Sequence, residues 1–286
     1  MAQTQKKTSV RIACVQMEPK VGFKDENLEN LRTKVSEAAR NGAHIIVAPE
    51  LCNSGYVFNS RDEALELSEP VPNGPTCDQW IDLASAHDVY LVAGICERDG
   101  EKLYNSSVLL GPEGFVGTFR KVHLWDQENR FFEAGNLGFP VFDTRHGRVG
   151  MFICYDSWFP EAYRSCALNG ADLICLPTNW VPIPGQVENR EAMANILVMA
   201  SAHANSVFVA AADRVGTERG QPFIGQSLIA SYTGWPIGGP ASATHEEIIY
   251  ADAVLSEAKD KRSWNEFNEV LKDRRPAAYV EGPGLD

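Results

Sequence analysis

The sequence predicts an α/β protein built as a four-layer αββα sandwich, with two sheets inside and helices outside. Two observations carry the prediction. Short apolar, β-branched runs alternate along the chain with stretches whose apolar residues recur at the helical period. The two halves also echo each other, as two related helix-on-sheet layers would. Residues 41–49 (NGAHIIVAP) line up with 169–177 (NGADLICLP). Likewise 84–87 (ASAH), ahead of an apolar run at 89–93, line up with 200–203 (ASAH) ahead of 207–211. Chance similarity of two helix–strand units is the alternative explanation.

In order along the chain, residues 10–17 read as the first strand. From 25 to 41, Leu28, Leu31, Val35 and Ala38 fall near the helical period, and Gly42 suits a C-terminal cap. A buried strand at 44–48, a helix at 77–87 and a strand at 89–95 follow. Strands at 103–110 and 115–120 flank a turn at 111–114 and form a hairpin. The second half repeats the alternation. It has a strand at 148–153, a helix at 159–169 with Pro160 in its first turn, and a strand at 173–176. A long helix at 187–205 and a strand at 207–212 come next, and segments 226–232 and 247–253 complete the sheets. No low-complexity linker divides the halves, so residues 1–286 read as one domain. The charged tail, about 256–286, is either a solvated arm or a strap across a dimer.

Composition narrows the function classes. With 44% hydrophobic and 22% charged residues the chain is ordinary globular material. Its formal net charge of −12 gives it no general affinity for a phosphate backbone, which argues against nucleic acid as a partner. No window reaches the roughly 18 apolar residues of a membrane span, and the first ten residues lack the apolar run of a signal peptide. The seven cysteines form no CxxC pair, which fits reduced thiols in the cytoplasm. HExxH, GxGxxG and GxxxxGK are all missing, so neither a metal nor a nucleotide cofactor is expected.

Three segments carry candidate chemistry. In 150–161 (GMFICYDSWFPE) an apolar strand delivers Cys154 to a turn ahead of a helix. There the helix dipole and nearby N–H groups would lower its thiol pKa and stabilise an oxyanion. The competing reading makes Cys154 buried filler at a strand end. Glu50 follows a buried strand that Pro49 stops, and so faces the rim where α/β sites form. Partial burial there would suit it to general-base work, although a glutamate in a loop is more often a surface acid. Lys121 ends the 115–120 strand. Set between a thiolate and a carboxylate it would hold both anions; otherwise it is a solvated strand end. Such a Cys–Glu–Lys set performs acyl transfer without histidine, metal or cofactor. A papain-like Cys/His pair is the rival, but none of the six histidines stands in a recognisable loop for it.

The segments 47–56 (VAPELCNSGY), 119–125 (FRKVHLW) and 153–161 (ICYDSWFPE) together resemble the nitrilase superfamily of carbon–nitrogen hydrolases. The resemblance runs from about residue 10 to 279 and includes 213–216 (DRVG) and 274–276 (RRP). It implies an αββα fold that commonly pairs into dimers, and Glu50, Lys121 and Cys154 as the catalytic set. It also implies a second glutamate after the lysine, matched by Glu128, with Glu133 as the rival. The implied reaction is hydrolysis of a non-peptide C–N bond through a Cys154 thioester. Tyr155-Asp156 after the cysteine, where true nitrilases usually have Trp-Glu, ranks primary amides first, N-carbamoyl compounds second and nitriles third.

For the substrate pocket the candidates are Tyr56, Trp125, Asp156, Trp158, Asn179 and Trp180, with the Tyr155 N–H as an oxyanion donor. Each tryptophan could equally pack the core. Arg190 is a candidate for a substrate carboxylate, against the plainer reading of a helix-surface arginine. The intact Glu–Lys–Cys set argues against a non-catalytic scaffold or binding homologue.

Overall fold

The computed structural model describes residues 8–186 and 191–279. The first half runs β1 (Val10–Gln16), α1 (Lys24–Arg40), β2 (Ile45–Val47), α2 (Arg61–Leu67), α3 (Pro75–His87), β3 (Tyr90–Asp99), β4 (Lys102–Gly111) and β5 (Gly114–Arg120). The second runs β6 (Val141–Thr144), β7 (Gly147–Met151), α4 (Pro160–Leu168), β8 (Leu173–Pro177), α5 (Met193–Asn205) and β9 (Phe208–Ala212). A small hairpin, β10 (Thr217–Glu218) and β11 (Gln221–Pro222), precedes β12 (Leu228–Ala230), β13 (Pro236–Gly238), β14 (Glu247–Ala253) and α6 (Glu257–Asp260).

Two six-stranded sheets form, in the orders β14-β1-β2-β3-β4-β5 and β6-β7-β8-β9-β12-β13. Read in these directions, both sheets have the same pairing sequence: antiparallel, parallel, parallel, antiparallel, antiparallel. The register agrees with the sequence echo. Ile45 pairs Tyr90 in the first sheet, and Leu173 pairs Phe208 in the second. A chance match of two helix–strand units would not reproduce a six-strand order, so the repeat is structural.

Side-chain alternation builds the layers. Along β1, Ile12 and Cys14 point to the core between the sheets, whereas Ala13 and Val15 point to the core beneath α1 and α3. Central parallel strands are apolar on both faces because both are covered. Leu31, Val35 and Ala38 of α1 close that outer layer, joined by Trp80 and Ala84 of α3. On the second sheet Tyr163 and Cys166 of α4 and Val198 and Ala202 of α5 do the same. The fold is the nitrilase-like αββα sandwich.

Several elements differ from expectation. The long helix begins at Met193, where the Gln186 side chain accepts from the Met193 N–H at 3.1 Å; residues 187–190, including Arg190, lie outside the described residues. The strand expected at 226–232 shrinks to β12, since Gln226 has φ +60° and cannot continue a ladder. Helix α2 was unanticipated, yet Ser60 and Glu63 form a readable capping pair: the Ser60 hydroxyl accepts from the Glu63 N–H at 3.2 Å. The tail turns through α6 against the second sheet, with the Ser206 hydroxyl donating to the Ala258 carbonyl, and stacks Trp264 on His203.

Candidate active site

The C-terminal ends of the parallel strands from both halves meet at one rim. Glu50 and Thr178 hold equivalent places, each just after the proline that follows or ends the middle strand. Glu50 is fully buried, and the turn after it is tight, with Leu51 at φ +46°. Gly94 of β3 lets that turn approach: a Cβ there would stand 2.5 Å from the Glu50 Cα. Glu50 Oε1 accepts from Asn105 Nδ2 at 2.6 Å and from Lys121 Nζ at 2.7 Å. Its backbone carbonyl accepts from Asn179 Nδ2 at 2.9 Å.

The β4–β5 hairpin aims Lys121 inward. Its N–H donates to the Asn105 carbonyl at 2.8 Å, and its own carbonyl accepts from the Gly135 N–H. The buried Nζ bridges Glu50 and Glu128, both at 2.7 Å. Glu128 sits in a 3-10 turn, Asp126–Arg130, where Oε1 also accepts from the Tyr56 hydroxyl at 2.6 Å and Oε2 from the Trp125 N–H at 3.2 Å. Glu128 therefore meets Lys121, while Glu133 is exposed.

Cys154 opens a second 3-10 turn, Cys154–Trp158, separated from the end of β7 by two residues, in the left-handed region at φ +45°. A non-glycine residue there is strained, and such strain concentrates at functional turns. Asp156 holds the turn. Its Oδ2 accepts from the Ile153 N–H at 3.1 Å, and its Oδ1 from the His123 N–H and ring Nδ1 at 2.9 and 2.7 Å. Asp156 is thus a buried brace behind the turn, not a pocket-lining residue, because its oxygens serve the backbone and His123.

The electrostatics correct one expectation. Burial pushes the Cys154 thiol well above its usual pKa, and the Glu50 charge adds to that; Lys121 and Thr178 pull the other way. With 6% of the residue exposed, the low-dielectric surroundings outweigh the turn dipole, so the resting group is a thiol that needs a base. The groups acting most strongly on it are Glu50, Lys121, Thr178 and Glu128, not a histidine. Burial opposes the Lys121 charge, but Glu128 and Glu50 outweigh it and raise its pKa, so it stays an ammonium. Glu128 is pushed up to about 7 by burial, against the pull of Lys121 and with the repulsion of Glu50.

A cleft of about 280 Å³ opens on Cys154, lined by Trp125, Tyr155, Trp158, Asn179, Trp180, Val181 and Ile183. Trp125 packs edge-on against Tyr155 at 4.9 Å. Tyr56 lies in the adjoining cleft with Glu128, and Trp125 and Val181 border both.

Four supporting residues escaped the sequence reading. Asn105 and Thr178 flank the charged groups. Asp213 accepts from the Trp180 N–H at 2.9 Å and so fixes one wall; its segment was noticed, but its task was not. Glu218 accepts from the Val21, Tyr56 and Val57 N–H groups at 2.8, 2.8 and 2.6 Å, tying the β10–β11 hairpin to the Tyr56 loop. Only tertiary structure brings these residues to the site. Glu218→Gln turns an amide N–H toward donors and is expected to cost about 1–3 kcal/mol. Urea unfolding checks this, and an unchanged midpoint would remove Glu218 from that task.

The pattern of the carbon-nitrogen hydrolase family matches residues 11–263. A nitrilase from Pyrococcus abyssi is 43% identical over 94% of this chain and 99% of its own length. An N-carbamoylputrescine amidase from Arabidopsis thaliana is 34% identical over 86% of each chain. Among solved structures, a carbon-nitrogen hydrolase from Helicobacter pylori G27 superposes with a TM-score of 0.85 at 25% identity, covering 96% of this chain and 97% of that one. With the family pattern spanning most of the sequence and these relatives matched nearly end to end, the chain belongs to the carbon-nitrogen hydrolase family.

Proposed function

We propose that this protein is an amidase that hydrolyses small primary amides to a carboxylic acid and ammonia through a Cys154 thioester. The observation that carries the reading is Glu50 Oε2. It is buried and without a hydrogen-bond partner, while its sister oxygen is fixed by Lys121 and Asn105, and its charge acts directly on the Cys154 thiol. A buried carboxylate with one free oxygen beside a neutral thiol is a general base awaiting its proton.

In the proposed reaction Glu50 takes the proton from Sγ as sulfur bonds to the carbonyl carbon. Lys121 Nζ and the Tyr155 N–H hold the oxyanion. The C–N bond breaks as Glu50 returns the proton to nitrogen, and ammonia leaves. Glu50 next takes a proton from water as that water attacks the thioester. The C–S bond breaks, sulfur regains the proton, and the acid departs. Glu128 and Tyr56 keep Lys121 in place.

Hydrolysis of N-carbamoyl compounds is the second reading, favoured by the Arabidopsis relative, and nitrile hydrolysis the third, favoured by the Pyrococcus relative. Ammonia and carbon dioxide release from a panel of amides, carbamoyl compounds and nitriles separates them. Ammonia alone from amides supports the first; equal release of both gases from carbamoyl compounds replaces it with the second.

The charge cluster predicts the pH dependence. Below about 7 Glu128 takes a proton and loosens its hold on Lys121. The expected kcat/KM therefore rises with pH to a plateau, with an apparent pKa near 7 that belongs to the cluster. Glu128→Gln, which mimics the protonated form, is expected to lower the plateau and flatten the acid limb. Stability moves the opposite way. A carboxyl whose folded pKa is raised contributes stability below its unfolded pKa, and that contribution is lost as pH rises through about 7. An acid limb unchanged in Glu128→Gln would assign it to another group.

We further propose a cytoplasmic homodimer. All seven cysteines are free and buried, which suits a reducing compartment. Met193 and Ile196 are exposed on α5, and Trp235 and Trp264 border the same face, an apolar stripe a second copy would cover. Light scattering at twice the chain mass supports the dimer, and a monomer mass overturns it.

A further inference from the structure

Buried polar atoms are nearly always paired, so a group of orphans beside a nucleophile marks places for a ligand's polar atoms. Around Cys154 the orphans include Glu50 Oε2, Asn179 Oδ1 and Trp180 Nε1; the Thr178 hydroxyl is engaged with the Cys154 thiol. Asn179 and Trp180 line the same cleft as Cys154, and each is almost completely buried. The Asn179 orientation is settled by its neighbour: Nδ2 donates to the Glu50 carbonyl at 2.9 Å, which leaves Oδ1 as a free acceptor. Glu50 Oε1 already receives Asn105 and Lys121, which leaves Oε2 as the second. The side chain that braces Glu50 thus offers an acceptor of its own beside the base. Lys121, a donor, suits the carbonyl oxygen of the substrate. The free acceptors suit N–H groups on the same carbon.

We propose that Asn179 binds and orients the leaving NH2 group: Asn179 Oδ1 accepts one N–H while the nitrogen faces Glu50 Oε2. The site therefore selects substrates with an unsubstituted carboxamide or ureido NH2 over nitriles and esters of the same acyl group. This rests on the hydrolase reading above and refines its substrate class. In the tetrahedral intermediate the nitrogen lone pair must face the proton that Glu50 took from Sγ. Holding one N–H on Asn179 stops rotation about the C–N bond and keeps that lone pair in line. A nitrile nitrogen has no hydrogen to give, and an ester oxygen has none either, so both leave Oδ1 unpaired.

The test compares kcat/KM for a primary amide, its N-methyl amide, its methyl ester and the matching nitrile, in wild type and Asn179→Ala. Wild type is expected to prefer the amide over the nitrile and over the N-methyl amide by about tenfold or more. Asn179→Ala is expected to reduce the amide-to-ester ratio by about tenfold. Equal loss on amide and ester would mean that Asn179 only braces Glu50, and would overturn the assignment while the hydrolase reading stands. If the variant fails to fold, the wild-type series decides: a nitrile or N-methyl amide turned over as well as the amide overturns it. A wild type inactive on amide, ureido compound and nitrile alike overturns the hydrolase reading itself, and this inference with it.

Discussion

Cys154→Ala is expected to abolish ammonia release, by about 10⁴-fold or more, while leaving the fold in place. The size of the effect follows from covalency. The proposed reaction runs through a covalent bond between Sγ and the acyl carbon, and alanine offers no atom to form it. The small cost to the fold follows from packing, because the substitution removes one atom at the edge of the core and retains the Ile153 and Asp156 hydrogen bonds that shape the turn. Thermal melts of the two proteins should agree within a few degrees, since a ΔΔG of about 1 kcal/mol moves the midpoint of a domain this size by about 2–4 °C. Cys154 is also the one cysteine with measurable exposure; Cys14, Cys52, Cys77, Cys96, Cys166 and Cys175 have none. Iodoacetamide should therefore add a single adduct per native chain and none to Cys154→Ala. Ammonia release that survives the substitution would remove Cys154 as nucleophile.

How much of this was legible before the structure depends on the distance over which each signal acts. Strands β1, β2, β3 and β7 and helices α1, α3 and α4 are governed by local apolar periodicity, and the chain repeats that periodicity in both halves. Glu50, Lys121 and Cys154, the proposed catalytic set, could be picked out because each closely follows a strand, where the rim of a sheet forms. The thiol pKa was misread because a turn dipole is visible in sequence, whereas burial under a carboxylate is a tertiary property. Asp156 was misread for a related reason: a polar residue beside a nucleophile looks like a ligand contact until its oxygens are seen on Ile153 and His123. Glu218 and Asn105 lie in segments with no chemistry of their own. They matter only through the loops and strands that fold against them.

Lys121→Met is expected to damage both stability and rate, because one ammonium holds two buried carboxylates. Methionine replaces most of the aliphatic stem, so the change isolates the charge. Removing it leaves Glu50 and Glu128 facing each other with no cation between them, a situation that costs about 3–5 kcal/mol in buried pairs. It also removes the proposed oxyanion donor, a group worth about 10²–10³ in kcat. The two losses separate by pH. Without the ammonium that pulls it down, Glu128 titrates above its wild-type value of about 7, so at pH 8 the variant must hold a proton that wild type has released, and the stability deficit should be largest there. On acidification wild type takes up the same proton, and the deficit should shrink. The rate deficit should persist, because a proton on a carboxyl does not restore the cation beside the oxyanion. Urea unfolding at pH 5.5 and 8, with kcat measured at both, separates these terms. A pH-independent stability deficit would mean that lost packing, rather than unpaired charge, accounts for the damage. Near-native stability at pH 8 would mean that the carboxylates are held by Tyr56, Asn105 and the Trp125 N–H alone, and that Lys121 serves only the chemistry.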